Sequence, residues 1–482
     1  VTSTSSAVSR RGEAPVVAVL AGLLALSLPA CSAGDDPGAG RGPDIILISL
    51  DTVRADRLSC YGNPAETTPF LDRTAALGVR FEHAYSSAPH TAPSHMSLFT
   101  GLDPMAHGIP NKPAGRGELR MVNPGVPTLP EVLSANGYHT LGITDRGQLS
   151  PAMGFGRGFD ETYFKYSKFD EKLDAFGDLV AEVPDDGAPL FVFFHSYECH
   201  APYLPPLAVM RRFCDMEYRG EFRTRYDSLR RSPTGFLTTQ AGRFLERFPG
   251  MGDEDLAWLQ SLYDANLSFA DSQVAELWRR WAELRDADNT VLMVVSDHGE
   301  GFGEHGFLGH PARLERELLR VPLIVRGPGV GVGVVDEPVP TSGLLATVLE
   351  LIGIDAPSHA EPSFVDALRD PSRAPAPRAL HQQLVGIPGD RRSDAVAVGG
   401  VRLLRRPGPE DVLFDFPGDP LEQSPLEAGE ARLEPLREAI SERRRVGMEF
   451  RDRFPAELAD PDETDRADEL EALGYIEGAD ER

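Results

Sequence analysis

Lysine is almost missing. The 482 residues contain only Lys112, Lys165, Lys168 and Lys172, and arginine supplies the rest of the positive charge. A site that recognises an anion must therefore use arginine, histidine, a metal ion or backbone N–H groups. Positive charge of either kind is short, since 48 Lys and Arg face 74 Asp and Glu, for a formal net charge of −26. Such a surface repels polyanions, which excludes a nucleic-acid-binding protein and one held to anionic lipid by its own surface. Cysteine is scarce too, at four residues. The spacing of Cys60, Cys199 and Cys214 matches no metal-binding cluster, and at most one disulfide can form among them. Idle or buried thiols are the plainer reading. Long apolar runs are confined to one N-terminal stretch, residues 14–28, which is too short to span a membrane comfortably.

That stretch does not read as fold. Arg10 and Arg11 precede it and Leu28-Pro29-Ala30-Cys31 ends it, so a basic flank, a short apolar segment and a small-residue exit describe a secretory signal over residues 1–31. Cys31 directly after Ala30 resembles a bacterial lipobox, which would make Cys31 the lipidated first residue of the mature chain. The expected location is therefore the bacterial cell envelope, periplasmic or surface-exposed, with membrane contact only through a lipid on Cys31. Residues 32–42, rich in Gly, Asp and Pro, read as a flexible tether.

The remainder, with 41% apolar and 25% charged residues in the whole chain, can bury a sizeable core. Asp44-Ile-Ile-Leu-Ile-Ser-Leu50 is a continuous apolar run with β-branched residues, the pattern of a parallel strand buried on both faces. Residues 190–194 and 291–295 repeat it, and 141–144 does so weakly. Helical patterns at 69–77, 129–136 and 253–285 fall between them. This alternation predicts an α/β fold with a mostly parallel sheet flanked by helices, over residues 43–356. Beyond Pro357 the character changes. Ala395-Val-Ala-Val398 and Val401-Arg-Leu-Leu404, joined by Gly399-Gly400, predict an antiparallel hairpin in a small subdomain over 357–426. Residues 427–482 read as a charged, largely helical tail.

Sites in parallel sheets lie at the C-terminal ends of the strands. Asp51 follows the first strand directly, and Asp297-His298-Gly299 follows the strand near 291–296. Singly, an aspartate after a strand is as readily a helix cap. Together at strand ends they converge on one crevice and can bind a divalent cation. Thr91-Ala-Pro-Ser-His95 carries a turn at Pro93 and a helix that Ser94 is expected to cap. Thr91 then lies at the positive end of a helix dipole, where an attacking hydroxyl is favoured as its anion.

Taken in order, these motifs resemble the sulfatase family. Asp51-Thr-Val-Arg-Ala-Asp-Arg57, Cys60-Tyr-Gly62, Thr68-Pro-Phe-Leu-Asp72, Gly78-Val-Arg-Phe81 and the run from Ser94 to Gly101 are similar to its N-terminal half. So are Phe155-Gly-Arg-Gly-Phe-Asp160, His200-Ala-Pro-Tyr203, Ser296-Asp-His-Gly-Glu300, His305-Gly306 and Val321-Pro-Leu323. Leu413-Phe-Asp415 with Asp419-Pro420 and Glu422-Gln423 is similar to the family's C-terminal hairpin, so the resemblance spans residues 43–426. It implies an alkaline-phosphatase-like α/β fold and a hydrolase of sulfuric or phosphoric esters with one divalent metal ion, Ca²⁺, Mn²⁺ or Zn²⁺. It places Asp51, Thr91, Asp297 and His298 around the metal, with Thr91 as nucleophile. It places His200 and His310 at the substrate's charged group or leaving oxygen, with His305 assisting and His95 ending the nucleophile motif. His200 and His305 keep a second reading, as residues that only order their loops.

The departures carry information. Most sulfatases open their nucleophile motif with Cys or Ser, convert that residue to formylglycine, and close the motif with Arg. Here Thr91 opens it and His95 closes it, and no cysteine begins such a pattern. The family's usual second aspartate after the first strand is Thr52, and the lysine usual after the His-Gly pair is His310. A threonine among aspartates and histidine resembles the Thr-nucleophile phosphotransferases and phosphodiesterases of the wider alkaline phosphatase superfamily. The preferred substrate is therefore a small-molecule, glycan or lipid ester, phosphoric ahead of sulfuric. Two rivals stand beside that reading. An envelope phospho-head-group transferase usually carries several membrane helices, and no apolar stretch of that length follows the signal here. A catalytically dead binding protein would have no need of Asp51, Asp297 and His298.

Overall fold

The computed structural model describes residues 42–111, 119–145, 147–165, 167–231, 251–386, 393–406, 411–427 and 429–458. The expected signal with Cys31, nearly all of the tether, Lys112 and the tail from 459 onward lie outside them.

Eight strands form the central sheet. They are β1 (Asp44–Leu50), β2 (Val79–Phe81), β3 (His139–Thr144), β4 (Glu161–Phe164), β5 (Leu190–Ser196), β6 (Thr290–Val295), β7 (Leu323–Arg326) and β8 (Gly333–Val335), in the order β8-β2-β7-β6-β1-β5-β3-β4. β1 pairs in parallel with both neighbours, Ile46 lying opposite Val192 of β5 and Leu292 of β6. β7 alone runs against the rest of this sheet, antiparallel to both β6 and β2. All seven residues of β1 are buried. Because successive side chains point to opposite faces, Ile45 and Leu47 enter one core while Ile46, Ile48 and Leu50 enter another.

Helices cover both faces, as a sheet with two apolar sides requires. Ile45 and Leu47 share their core with α2 (Thr91–Thr100), α3 (Leu129–Ala135) and α6 (Leu344–Leu351). Ile46, Ile48 and Leu50 share theirs with α1 (Pro69–Ala76), α4 (Phe169–Glu182) and the 32-residue α5 (Asp253–Leu284). The first turn of α3 carries a capping box between Thr128 and Glu131. That of α1 is closed from outside, since Asp271 on α5 accepts the N–H groups of Phe70 and Leu71, both at 2.9 Å.

The predicted small antiparallel unit is a four-stranded sheet of β9 (Leu380–Leu384), β10 (Ser393–Val398), β11 (Val401–Arg405) and β12 (Asp411–Asp415). Gly399 (φ 56°) and Gly400 (φ 83°) make the tight turn between β10 and β11, which needs two left-handed residues. One face of this sheet packs on α7 (Glu430–Arg453) through Leu433, Leu436 and Ile440. The other packs on Leu314, Leu318 and Leu319.

Candidate active site

Asp51 leaves β1 and Asp297 leaves the adjacent β6, so the two carboxylates meet at one edge of the sheet. Thr52 connects them. It adopts φ 59°, unusual for a β-branched residue. The conformation is held at three points: its N–H donates to Asp297 Oδ1 (3.2 Å), its hydroxyl to the Cys199 carbonyl (3.0 Å), and its own carbonyl accepts the Tyr263 hydroxyl (2.8 Å).

Each carboxylate has one satisfied oxygen. Asp51 Oδ2 accepts Thr91 Oγ1–H (3.2 Å) and His195 Nε2–H (3.3 Å), while Asp297 Oδ1 accepts the N–H groups of Thr52 and His298. The other oxygens, Asp51 Oδ1 and Asp297 Oδ2, are buried with no hydrogen-bond partner among the described residues, and so is His298 Nε2. His298 Nδ1 donates to the Gly299 carbonyl (3.0 Å), which leaves the lone pair on Nε2. Asp51, Asp297 and His298 each present a ligand atom, all within 4.8 Å of one another. Burial and the neighbouring Asp297 hold the Asp51 carboxyl well above the usual carboxylate range. A divalent cation would satisfy all three atoms and cancel the repulsion between the acids. The residues therefore fit the expected metal, with a donor set that suits Ca²⁺, Mn²⁺ or Zn²⁺.

Thr91 heads α2. The sequence reading put the cap at Ser94, but the Ser94 hydroxyl donates back to the Thr91 carbonyl (3.0 Å), and the helix already begins at Thr91. His95 stands beside Asp297, its Nδ1 3.7 Å from Oδ2. Its Nδ1–H donates to the Thr91 carbonyl (2.8 Å) and its Nε2 takes the Ser49 hydroxyl (2.8 Å). Four residues along a helix the ring falls under the turn that holds Thr91. His95 therefore supports α2 on β1, and both its nitrogens are engaged within the protein.

Histidines wall the space beside Thr91. The ring centroids of His298 and His310 lie 4.7 Å apart, His200 and His310 4.9 Å, His90 and His310 6.0 Å, and His90 and His298 6.4 Å. Burial, with His310 alongside, pushes His200 down to about 4, so its ring is neutral near pH 7. His310 Nδ1 bonds Glu300 Oε1 (2.9 Å), and Glu300 Oε2 accepts the Tyr203 hydroxyl (2.9 Å). Burial pushes Glu300 up to about 7.

The expected residues thus fall into two groups. Asp51, Thr91, Asp297, His298, His200 and His310 come together. His305 does not join them: its Nδ1 bonds Glu317 Oε1 (2.6 Å) and its Nε2 donates to the Glu422 carbonyl (3.2 Å), which ties the loop to the small subdomain. Sequence reading missed His90, Asn111, Glu300 and His195, together with the buried pair of Asp145 and Lys172. His195 gave one signal that went unused, a histidine inside an otherwise apolar buried strand.

A sulfatase family model matches residues 43–354. The chain belongs to the sulfatase family. As a member it is a sulfatase-like ester hydrolase, on an alkaline-phosphatase-like fold. An uncharacterised sulfatase of Escherichia coli is 24% identical over 369 residues, 68% of this chain and 71% of that protein. An N-acetylglucosamine-6-O-sulfatase of Bacteroides thetaiotaomicron is 23% identical over 429 residues, 73% and 75% of the two chains. Among solved structures, the phosphonate monoester hydrolase of Agrobacterium radiobacter superposes with a TM-score of 0.66 at 18% identity, covering 84% of this sulfatase-family chain and 96% of its own.

Proposed function

We propose that this chain hydrolyses phosphoric or sulfuric esters of a small molecule, glycan or lipid, phosphoric esters first, with Thr91 as nucleophile and one divalent cation held by Asp51, Thr91, Asp297 and His298. One observation carries the reading: the Thr91 hydroxyl donates to Asp51 Oδ2 (3.2 Å) beside three buried ligand atoms that have no hydrogen-bond partner among the described residues. When bound, the cation favours the alkoxide of Thr91 and offsets negative charge on the transferred group. Asp51 Oδ2 is the atom placed to receive the Thr91 proton. Oγ1 attacks phosphorus or sulfur in line, and the leaving oxygen takes a proton from His310, while His200, neutral near pH 7, stands beside it at 4.9 Å centroid to centroid. Water then releases the group from Thr91.

The preference for phosphorus follows from threonine itself. A formylglycine hydrate has a second hydroxyl on the same carbon and can expel sulfate by breaking its own C–O bond. Thr91 has none, so its ester must be cleaved by water attacking phosphorus or sulfur. The transition state of a phosphate monoester, a dianion where a sulfate ester is a monoanion, carries the greater negative charge and gains more from a cation and imidazole donors. Proteins named for sulfate esters and for phosphonate monoesters both occur among those similar to this chain, so the fold accommodates either.

The test is an aryl phosphodiester and an aryl sulfate, assayed with wild type, Thr91→Ala and Asp297→Ala. Wild type should turn over the phosphodiester faster, Thr91→Ala should be inactive on both, and Asp297→Ala should lose its metal while keeping its circular dichroism. Faster sulfate turnover, an active Thr91→Ala protein, or turnover unaffected by chelators would each overturn the corresponding part of the reading. The chain is further proposed to be exported and lipidated at Cys31, on the motif Leu28-Pro29-Ala30-Cys31. An intact mass showing an unmodified Cys31 thiol, or full membrane retention of Cys31→Ser, counts against it.

A further inference from the structure

His195 lies between Phe194 and Ser196 in β5, a strand whose seven residues are all buried. An imidazole taken out of water there costs free energy unless a hydrogen bond compensates. Its register partner on β1 is Ser49, and both side chains point to the face that α2 covers. Each strand thus offers one polar group to the start of α2. Ser49 bonds His95 Nε2 (2.8 Å). His195 Nε2 lies 3.3 Å from Asp51 Oδ2, the oxygen that also takes the Thr91 hydroxyl (3.2 Å).

The direction of that bond is fixed by chemistry. A carboxylate that ligates a cation can only accept, so a proton sits on His195 Nε2. The other nitrogen, Nδ1, has no hydrogen-bond partner among the described residues. Asp145 Oδ2 is 3.9 Å from it and already takes the Lys172 ammonium and the Tyr197 N–H. Lys172 also donates to the His195 carbonyl (3.1 Å), which holds the backbone behind the ring. Among the described residues, the bond to Asp51 is therefore the one that engages the imidazole.

We propose that His195 is a positioning residue, whose Nε2–H pins Asp51 Oδ2 beside Thr91 and so leaves Asp51 Oδ1 to the cation. The inference rests on the cation and the Thr91 nucleophile of the proposed function. An aspartate carboxyl turns easily about its last torsion. Two donors on one oxygen remove that freedom. Oδ1 has no hydrogen-bond partner among the described residues, and Asp51 joins Asp297 and His298 in the group whose ligand atoms lie within 4.8 Å of one another. One of the two donors is lost when Thr91 gives up its proton. His195 is the donor that remains, and it acts on the reaction only through Asp51. Hydrogen bonds to a ligating carboxylate set metal affinity in this way.

The test uses His195→Phe, His195→Asn and His195→Gln in the full chain. Phenylalanine keeps a ring and removes the donor. A glutamine amide places an N–H₂ near the position of Nε2, whereas an asparagine amide reaches only that of Nδ1. The first measurement is the Mn²⁺ Kd by calorimetry, which needs no turnover. His195→Phe and His195→Asn should bind Mn²⁺ about 10- to 100-fold more weakly, and His195→Gln should recover most of the affinity. The second is turnover of the aryl phosphodiester at saturating Mn²⁺. There kcat should stay low in the phenylalanine and asparagine variants while KM is nearly unchanged, because His195 binds no substrate. Thermal melts in EDTA separate loss of metal from loss of fold. Should His195→Phe fail to fold, the asparagine and glutamine variants make the same comparison. Wild-type Mn²⁺ affinity in His195→Phe, or a glutamine variant no better than asparagine, would overturn the proposal. A wild-type protein that binds none of Ca²⁺, Mn²⁺ and Zn²⁺ would remove the metal reading and this inference with it. An active Thr91→Ala protein would remove only the nucleophile assignment, and the Mn²⁺ comparison would still decide for His195.

Discussion

Lys172 is one of four lysines in the chain and is 1% exposed. Its ammonium bonds Asp145 Oδ2 and donates to the His195 carbonyl (3.1 Å), and the same Asp145 oxygen accepts the Tyr197 N–H (3.1 Å). His195 in turn steadies Asp51 Oδ2, so a buried charge pair lies one residue behind the proposed metal ligands. Removing one partner strands the other in the core. Lys172→Met is expected to cost about 3–5 kcal/mol in urea unfolding. Pairing it with Asp145→Leu should recover much of that loss, because two uncharged side chains remove the penalty that one alone creates. A double variant no more stable than the single would show that the pair is not what holds this corner. The network was not legible in the sequence for a physical reason. Lys172 sits in an amphipathic helix, where a lysine ordinarily faces water, and Asp145 follows the weakest of the strand patterns. Asn111, which bonds His90 Nδ1 directly (3.0 Å), is clamped by Val385, 274 residues further along the chain. Asp51, Asp297 and His298 were legible because each directly follows an apolar run, so their position at the strand ends needs no long-range partner.

The elements that place the site leave little room at the turn after β6. A Cβ on Gly299 would lie 2.0 Å from the Glu317 carbonyl oxygen, and the Gly299 N–H donates to the Leu318 carbonyl (2.8 Å). Gly299→Ala must push the Asp297-His298 turn away from that segment. We expect a loss of about 1–3 kcal/mol from overpacking, and weaker Mn²⁺ binding by calorimetry because two proposed ligands move with the turn. Wild-type melting and wild-type Mn²⁺ affinity together would refute this. The buried strands β1, β5 and β6 and the helices α1, α3 and α5 were readable because both faces of the sheet are apolar and periodicity separates strand from helix. The antiparallel β7 was not, since direction is fixed by pairing with β6 and β2 and leaves no trace in a four-residue run. The start of α2 was misread because Pro93 and Ser94 carry strong N-terminal signals of their own, whereas the helix begins two residues earlier on a threonine without a side-chain cap.

At the scale of the whole molecule, the small subdomain is tied to the catalytic loops by buried charge. Arg402 pairs with Glu422, Glu422 Oε2 accepts the Arg316 N–H (3.2 Å), and the Arg316 guanidinium bonds the Tyr85 hydroxyl (2.7 Å). His305 completes the seam between Glu317 and the Glu422 carbonyl, and with an acceptor at each nitrogen the ring is held as an imidazolium. The hydrogen bond that His305 donates to Glu317, working against partial burial, raises His305 to about 9. A histidine in the unfolded chain titrates near 6.5. A raised folded value means that the folded state binds the proton more tightly. The stabilisation is therefore complete below about 6.5 and fades as pH rises through about 9. Groups elsewhere also titrate over this range, so the informative quantity is the difference between wild type and His305→Gln, in which they cancel. Wild type should melt above His305→Gln at pH 6, and the gap should close by pH 9.5. A gap that stays constant would assign His305 a packing role alone, and one that widens with pH would mean that the ring is neutral in the folded protein.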